Sequence, residues 1–139
     1  MLDKSIWYYL AGPMTSIPQS NFPLFDSVAK RLREQGFKIV TPSELDLPHV
    51  REEALASETG TAHVSQWGEF LSRDVKIVAD GVGGIIFLPG WLMSRGAKLE
   101  AFVGLLTKKK FGWYDELTQT AREKSSQSVR INLIGNMPT

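Results

Sequence analysis

The chain has 139 residues, 42% hydrophobic and 22% charged, with a formal net charge of +1; this is the size and balance of one folded domain over residues 1–139. It has no cysteine, which excludes disulfides, thiolate metal sites and cysteine nucleophiles, and His49 and His63 lie outside any HExxH pattern, so no metal site is expected. The near-neutral charge argues against a nucleic-acid partner, with the basic run Lys108 to Lys110 reading as a solvated helix end, and no apolar run approaches the ~20 residues of a membrane span, so a cytoplasmic protein is expected.

In chain order, Ser5 to Leu10 is a short apolar and aromatic run stopped by AGP, the pattern of a strand buried on both faces. In NFPLFDSVAKRLREQG the residues Phe22, Phe25, Val28, Ala29 and Leu32 recur at helical spacing, Pro23 suits a first turn and Gly36 a C-cap. Phe37 to Val40 reads as a second strand. From Thr41 to Val64 the chain is polar and broken by prolines, with a weak helical hint at Val50 to Ala56, as in a long surface excursion. Helical periodicity returns over Ser65 to Ala79, and Gly84 to Leu88 is the clearest strand, ended by Pro89 and Gly90. A third helix runs from about Ser94 to Lys108. Phe111 to Tyr114 and Val129 to Leu133 are read as the last two strands, separated by a polar, possible helical stretch from Glu116 to Ser126.

Strands alternating with helices imply βαβ units, hence a flavodoxin-like or Rossmann-like three-layer α/β sandwich with a parallel five-stranded sheet. Ligands of such sheets bind beyond the carboxyl ends of the strands. That rule selects AGPMT, TPSE and PGWLMS.

Two carboxylates occupy positions where apolar residues belong. Ala97, Ala101, Gly104 and Leu105 form the stripe of the third helix that should face the sheet, and Glu100 lies within it. An unpaired ion there is costly, yet Glu100 is only ~9 Å along the helix from Ser94 and so within reach of the ligand edge. Asp74 repeats the pattern on the preceding helix, between Phe70, Leu71 and Ile77. In a continuous helix Asp74 would lie ~13 Å from the start at Ser65, too deep for a ligand, so Ser72 is read as a fresh N-cap that restarts the helix. The alternative is that both are structural acids paired with basic residues. As a pair on elements flanking one strand, they suit glycosidic chemistry, one carboxylate attacking the anomeric carbon and the other serving the leaving group. Tyr9 could orient Glu100, or Tyr8 and Tyr9 could both be plain strand aromatics.

The start of the third helix, with free backbone N–H groups, the Ser94 hydroxyl and Gly96, is a candidate phosphate seat, although simple N-capping by Ser94 would look the same. AGPMT lacks the later glycines of a dinucleotide fingerprint and GxxxxGK[ST] is absent, so no nucleotide cofactor is expected. Trp91, Met93 and Met14 are candidates to sandwich a flat base, or to plug the core.

YLAGPMT, the acid of FLSRD, and LPGWLMSRGAKLE together resemble the nucleoside 2-deoxyribosyltransferase superfamily, including its deoxynucleoside 5′-monophosphate N-glycosidases and a phage and bacterial branch, over about Ile6 to Leu106. The resemblance implies that Glu100 attacks the anomeric carbon of a 2-deoxyribosyl group, that Asp74 handles the leaving base and that Tyr9 orients Glu100. With the strand-end rule and the helix start, this makes Gly12, Pro13, Met14, Thr15, Trp91, Ser94 and Gly96 the expected substrate-binding residues. A serine six residues before the glutamate, here Ser94, implies a substrate with a 5′-phosphate and favours hydrolysis over transfer between bases; Thr15 stands where the glycosidases carry an arginine. It also implies a homo-oligomer whose pockets are completed by a neighbouring subunit, with Ser128, Asn132, Asn136 and Met137 as candidate donors. A nucleotide-binding module without turnover is the rival reading.

Overall fold

Five strands, β1 (Trp7–Ala11), β2 (Lys38–Val40), β3 (Gly84–Phe87), β4 (Lys110–Asp115) and β5 (Thr120–Lys124), form one sheet in the order β2-β1-β3-β4-β5. The computed structural model describes residues 1–61 and 67–136. The first four strands are parallel, whereas β5 runs antiparallel to β4, pairing Phe111 with Lys124 and Asp115 with Thr120. The expectation of an all-parallel sheet is therefore corrected to a mixed one.

The helices are α1 (Phe22–Glu34), α2 (Pro48–Ala56), α3 (Trp67–Lys76), α4 (Arg95–Leu106) and α5 (Ser126–Gly135). On α1, Phe22, Phe25, Val28, Ala29 and Leu32 are all buried, and each large apolar side chain so buried contributes about 1.5 to 3 kcal/mol. They pack with Tyr8, Leu10, Ile39, Ile86 and Leu88 on one face of the sheet. On the other face, Tyr9, Ala11, Ile85 and Phe87 pack with Ala97 and Ala101 of α4 and with Val129 and Leu133 of α5. Strand alternation thus sends the two adjacent tyrosines of β1 to opposite sides. The helical hint in the excursion becomes α2.

The chain's end departs from the sequence reading. Thr120–Lys124, expected to be polar and helical or irregular, is the edge strand β5, and Val129 to Leu133, expected to be a strand, lies within α5. A tight turn with Gln119 in the left-handed region returns the chain directly from β4, so the next strand is an antiparallel hairpin partner. Ser125 then caps α5 by accepting from the Ser128 N–H at 3.0 Å. Val129 and Leu133, four residues apart, share the buried face.

α3 is also continuous through Ser72, which is exposed in mid-helix, so the expected restart there does not occur. A π-helical turn, Ile77–Gly81, continues α3 and leads to β3. Residues 62–66, with the expected helix start at Ser65 and the histidine His63, lie outside the described residues, as does Met137.

Candidate functional site

β2 and β3 flank β1 on opposite sides, so the connections leaving β1 and β3 diverge at the carboxyl edge of the sheet, the usual place for a crevice. A cavity of about 990 Å³ opens there, at the upper end of the range for small-molecule sites. Gly12, Pro13, Met14 and Thr15 wall it after β1, and Pro89, Gly90, Met93, Ser94 and Gly96 wall it after β3. Trp67, Phe70, Leu71 and Asp74 of α3 form a third wall. These last four follow i, i+3, i+4, i+7 spacing, one helix stripe facing the cavity. The cavity follows that stripe downward, which explains how Asp74 reaches it on an unbroken helix.

The floor is Tyr9, Glu100 and Asp74. Glu100 is 5% exposed among the small residues Ala97, Ala101 and Gly104, which bring α4 close to the sheet. The Tyr9 hydroxyl donates to Glu100 Oε2 at 2.5 Å, while Tyr8, on the opposite face, donates to the Asp3 carbonyl at 2.8 Å. Tyr9 therefore faces the cavity, and Tyr8 the packing on the other side of the sheet. Burial, reinforced by the Asp74 charge, pushes the Glu100 carboxyl up to about 8, against the Tyr9 hydrogen bond and the Arg73 charge, which favour its ionised form. Burial likewise raises Asp74, opposed chiefly by Arg73, and drives the Tyr9 phenol well above its usual range with both carboxylates adding to the effect. Glu100 therefore holds a proton at neutral pH, while the paired Arg73 guanidinium favours the ionised form of Asp74.

Arg73 was not foreseen as a site residue. Its Nε donates to Asp74 Oδ1 at 2.9 Å and its Nη1 to Asp46 Oδ1 at 2.6 Å, and both Arg73 and Asp46 line the cavity. Neighbours in sequence do not face each other on a helix, so only the long guanidinium arm, held from the other side by Asp46, makes this pairing. The ion pair is the partner that a structural acid would also have.

At the rim, Ser94 caps α4, its Oγ accepting from the Ala97 N–H at 3.1 Å, while the N–H groups of Arg95 and Gly96 have no intrahelical acceptor. The Ser94 hydroxyl hydrogen stays free for an anion, so capping and phosphate binding are compatible. Arg95 lines the cavity with its guanidinium 5.6 Å from the Trp67 ring centre. A Cβ at Gly96 would meet nothing nearer than 3.8 Å, whereas one at Gly12 would lie 2.9 Å from Leu88 Cβ; Gly12 serves the close approach of two loops.

Trp91 is a correction. It is buried and stacks on Phe87 with ring centres 4.0 Å apart, a core plug that does not line the cavity. Met93 is exposed at the lip. Ser128, Asn132 and Asn136 lie on or at the end of α5 and do not line this chain's cavity. Among the described residues no group of acids and histidines could hold a metal, and no helix is long and apolar enough to cross a membrane.

A family model described as domain of unknown function (DUF4406) matches residues 6–111, a span that includes Tyr9, Asp74 and Glu100. No curated protein matches the sequence.

Proposed function

The chain belongs to the DUF4406 family, whose description assigns no activity, and from the cleft itself we propose that it cleaves the N-glycosidic bond of 2′-deoxynucleoside 5′-monophosphates, giving free base and 2-deoxyribose 5-phosphate. The observation that carries this reading is a buried glutamate, hydrogen-bonded by Tyr9, on the floor of a cleft whose rim, six residues earlier, is the serine-capped start of the same helix, with backbone N–H groups left over to receive an anion. The strand order and the resemblance of YLAGPMT and LPGWLMSRGAKLE to deoxyribosyltransferases support it. The cation that a phosphate needs comes from Arg95 at the rim, Arg73 being paired with Asp74 and Asp46, and Thr15 stands in place of the expected arginine.

Glu100 must be ionised to attack and Asp74 protonated to serve the leaving base, the reverse of their resting state. Tyr9 touches both, so moving one proton from Glu100 to Asp74 by way of its hydroxyl prepares nucleophile and acid together. A Glu100 oxygen then bonds to C1′ as the C1′–N bond breaks, and the base takes its electron pair and the Asp74 proton. In the second step Asp74 accepts a proton from water, whose oxygen displaces Glu100 from C1′. A second base in place of water would make the same site a transferase. A homo-oligomer belongs to this reading, and the exposed Leu99, Phe102 and Leu106 of α4 with Ile131 and Ile134 of α5 support it.

The test is incubation with each deoxynucleoside monophosphate and chromatography for free base. Release is expected from the native protein and absent from Glu100→Ala. Tight nucleotide binding without release from the native protein would instead make this a binding module.

A further inference from the structure

The parallel strands have a second edge, and a second cavity of about 640 Å³ opens there. Lys110 begins β4 and Lys124 ends the antiparallel β5, so the hairpin brings both to the amino end of the parallel strands, away from the Glu100 cleft. Lys108, Lys109, Lys110, Lys124 and Arg130 line this hollow, and no residue lines both cavities.

Five of the chain's 16 lysines and arginines thus face one concavity in a protein whose net charge is only +1. Its single lining carboxylate, Glu123, is already engaged by the amino-terminal ammonium at 2.9 Å. Like charges gathered this way repel one another unless an anion sits among them. Lys124 is the sharpest case. Its Nζ donates to the neutral Ser128 Oγ at 3.0 Å, and burial lowers its pKa with no acid acting in the opposite sense. The left-handed Lys108 caps the end of α4, its N–H bonding to the Leu105 carbonyl and that of Lys109 to the Gly104 carbonyl, so the expected solvated helix end is also the turn that carries the three consecutive lysines to this hollow. Leu105 and Phe111 add an apolar wall.

We propose that this hollow is a binding site for a small molecule carrying an oligophosphate chain, such as a nucleoside triphosphate. Five cations exceed what one phosphate dianion can neutralise, whereas a triphosphate of about four charges matches them, and the apolar wall leaves room for an organic group. The cations surround a hollow, unlike the extended stripe that tracks a nucleic-acid backbone. The site stands independently of the activity assigned to the Glu100 cleft.

The experiment is isothermal titration of the intact protein with sodium tripolyphosphate, ATP and inorganic phosphate at one fixed ionic strength. Saturable 1:1 binding of tripolyphosphate and ATP is expected, clearly tighter than that of inorganic phosphate. It should weaken by about tenfold or more in Lys109→Gln/Arg130→Gln, surface changes whose folding is checked by circular dichroism, and also in Lys124→Met. It should be unchanged in Ser94→Asp, which alters only the other cleft. Unaltered binding in the lysine and arginine variants, loss of binding in Ser94→Asp, or equal affinity for inorganic phosphate would each overturn the proposal. So would tighter binding of a single-stranded oligonucleotide with affinity rising with its length, which would make the surface a nucleic-acid contact.

Discussion

Replacing Glu100 by glutamine tests the electrostatics of the cleft floor without any substrate. Glutamine reproduces the shape of the protonated acid and can still accept from Tyr9, but it cannot ionise. Glu100 titrates at about 8 in the folded protein against a reference value of 4.5. The folded state therefore holds this proton more tightly than the unfolded chain, and between those two values stability falls as pH rises. Across the whole window the loss is about 5 kcal/mol, and between pH 5.5 and 8.5 about 3 kcal/mol. The variant loses none of it. Urea unfolding of both proteins at several pH values should show them close in stability at pH 5.5, with Glu100→Gln ahead by about 3 kcal/mol more at pH 8.5. In thermal scans that gap is about 10 °C in Tm. Parallel stability curves would refute the reasoning, because they would mean that Glu100 is already ionised in the folded protein and that Arg73 outweighs burial.

Two further outcomes follow from the same floor and its rim. Tyr9→Phe removes a hydrogen bond that favours the ionised glutamate, worth about 1.5 to 3 kcal/mol, so the proton is harder to move from Glu100 to Asp74: the rate of base release at pH 7 should fall about 10- to 100-fold, and the alkaline fall in kcat/KM, where the pair loses its one proton, should move up by about 1 to 2 pH units; an unchanged profile would remove Tyr9 from the mechanism. Gly60→Ala places a Cβ 1.9 Å from the Ile17 carbonyl oxygen on a backbone at φ +72°, and should cost at least about 2 kcal/mol in urea unfolding; a neutral result would show that the rim is held by something other than the Gly60 contact.

Glu100 was legible in the sequence because its signal is local: a charged residue inside a stripe of alanines and glycine needs no knowledge of the rest of the chain. Asp74 was legible as an anomaly but not in its geometry, since the cavity's depth depends on how α3 lies against α4. Arg73 and Asp46 were out of reach for a related reason, as their pairing joins α3 to the excursion after β2 across 27 residues. Trp91 offered no means of choosing between lip and core, because an aromatic residue just past a strand can turn either way. The chain's end misled through residue type. Val129 and Ile131 favour strands by propensity, whereas the Ser125 cap and the spacing of Val129 and Leu133 indicated the helix. Thr120–Lys124 is an edge strand with three half-exposed and two exposed residues, so it lacks the hydrophobic alternation that marks a strand.

The tandem tyrosines of β1 bear on how related chains are to be compared. Tyr8 and Tyr9 are the same residue type in adjacent positions, yet the pleat gives one hydroxyl to the Asp3 carbonyl and the other to Glu100. A sequence comparison shifted by one residue would still match tyrosine to tyrosine while exchanging the two sides of the sheet. In any relative with a single tyrosine here, the parity of its position relative to Ala11, which shares the Tyr9 side, decides whether it belongs to the cleft or to the packing under α1.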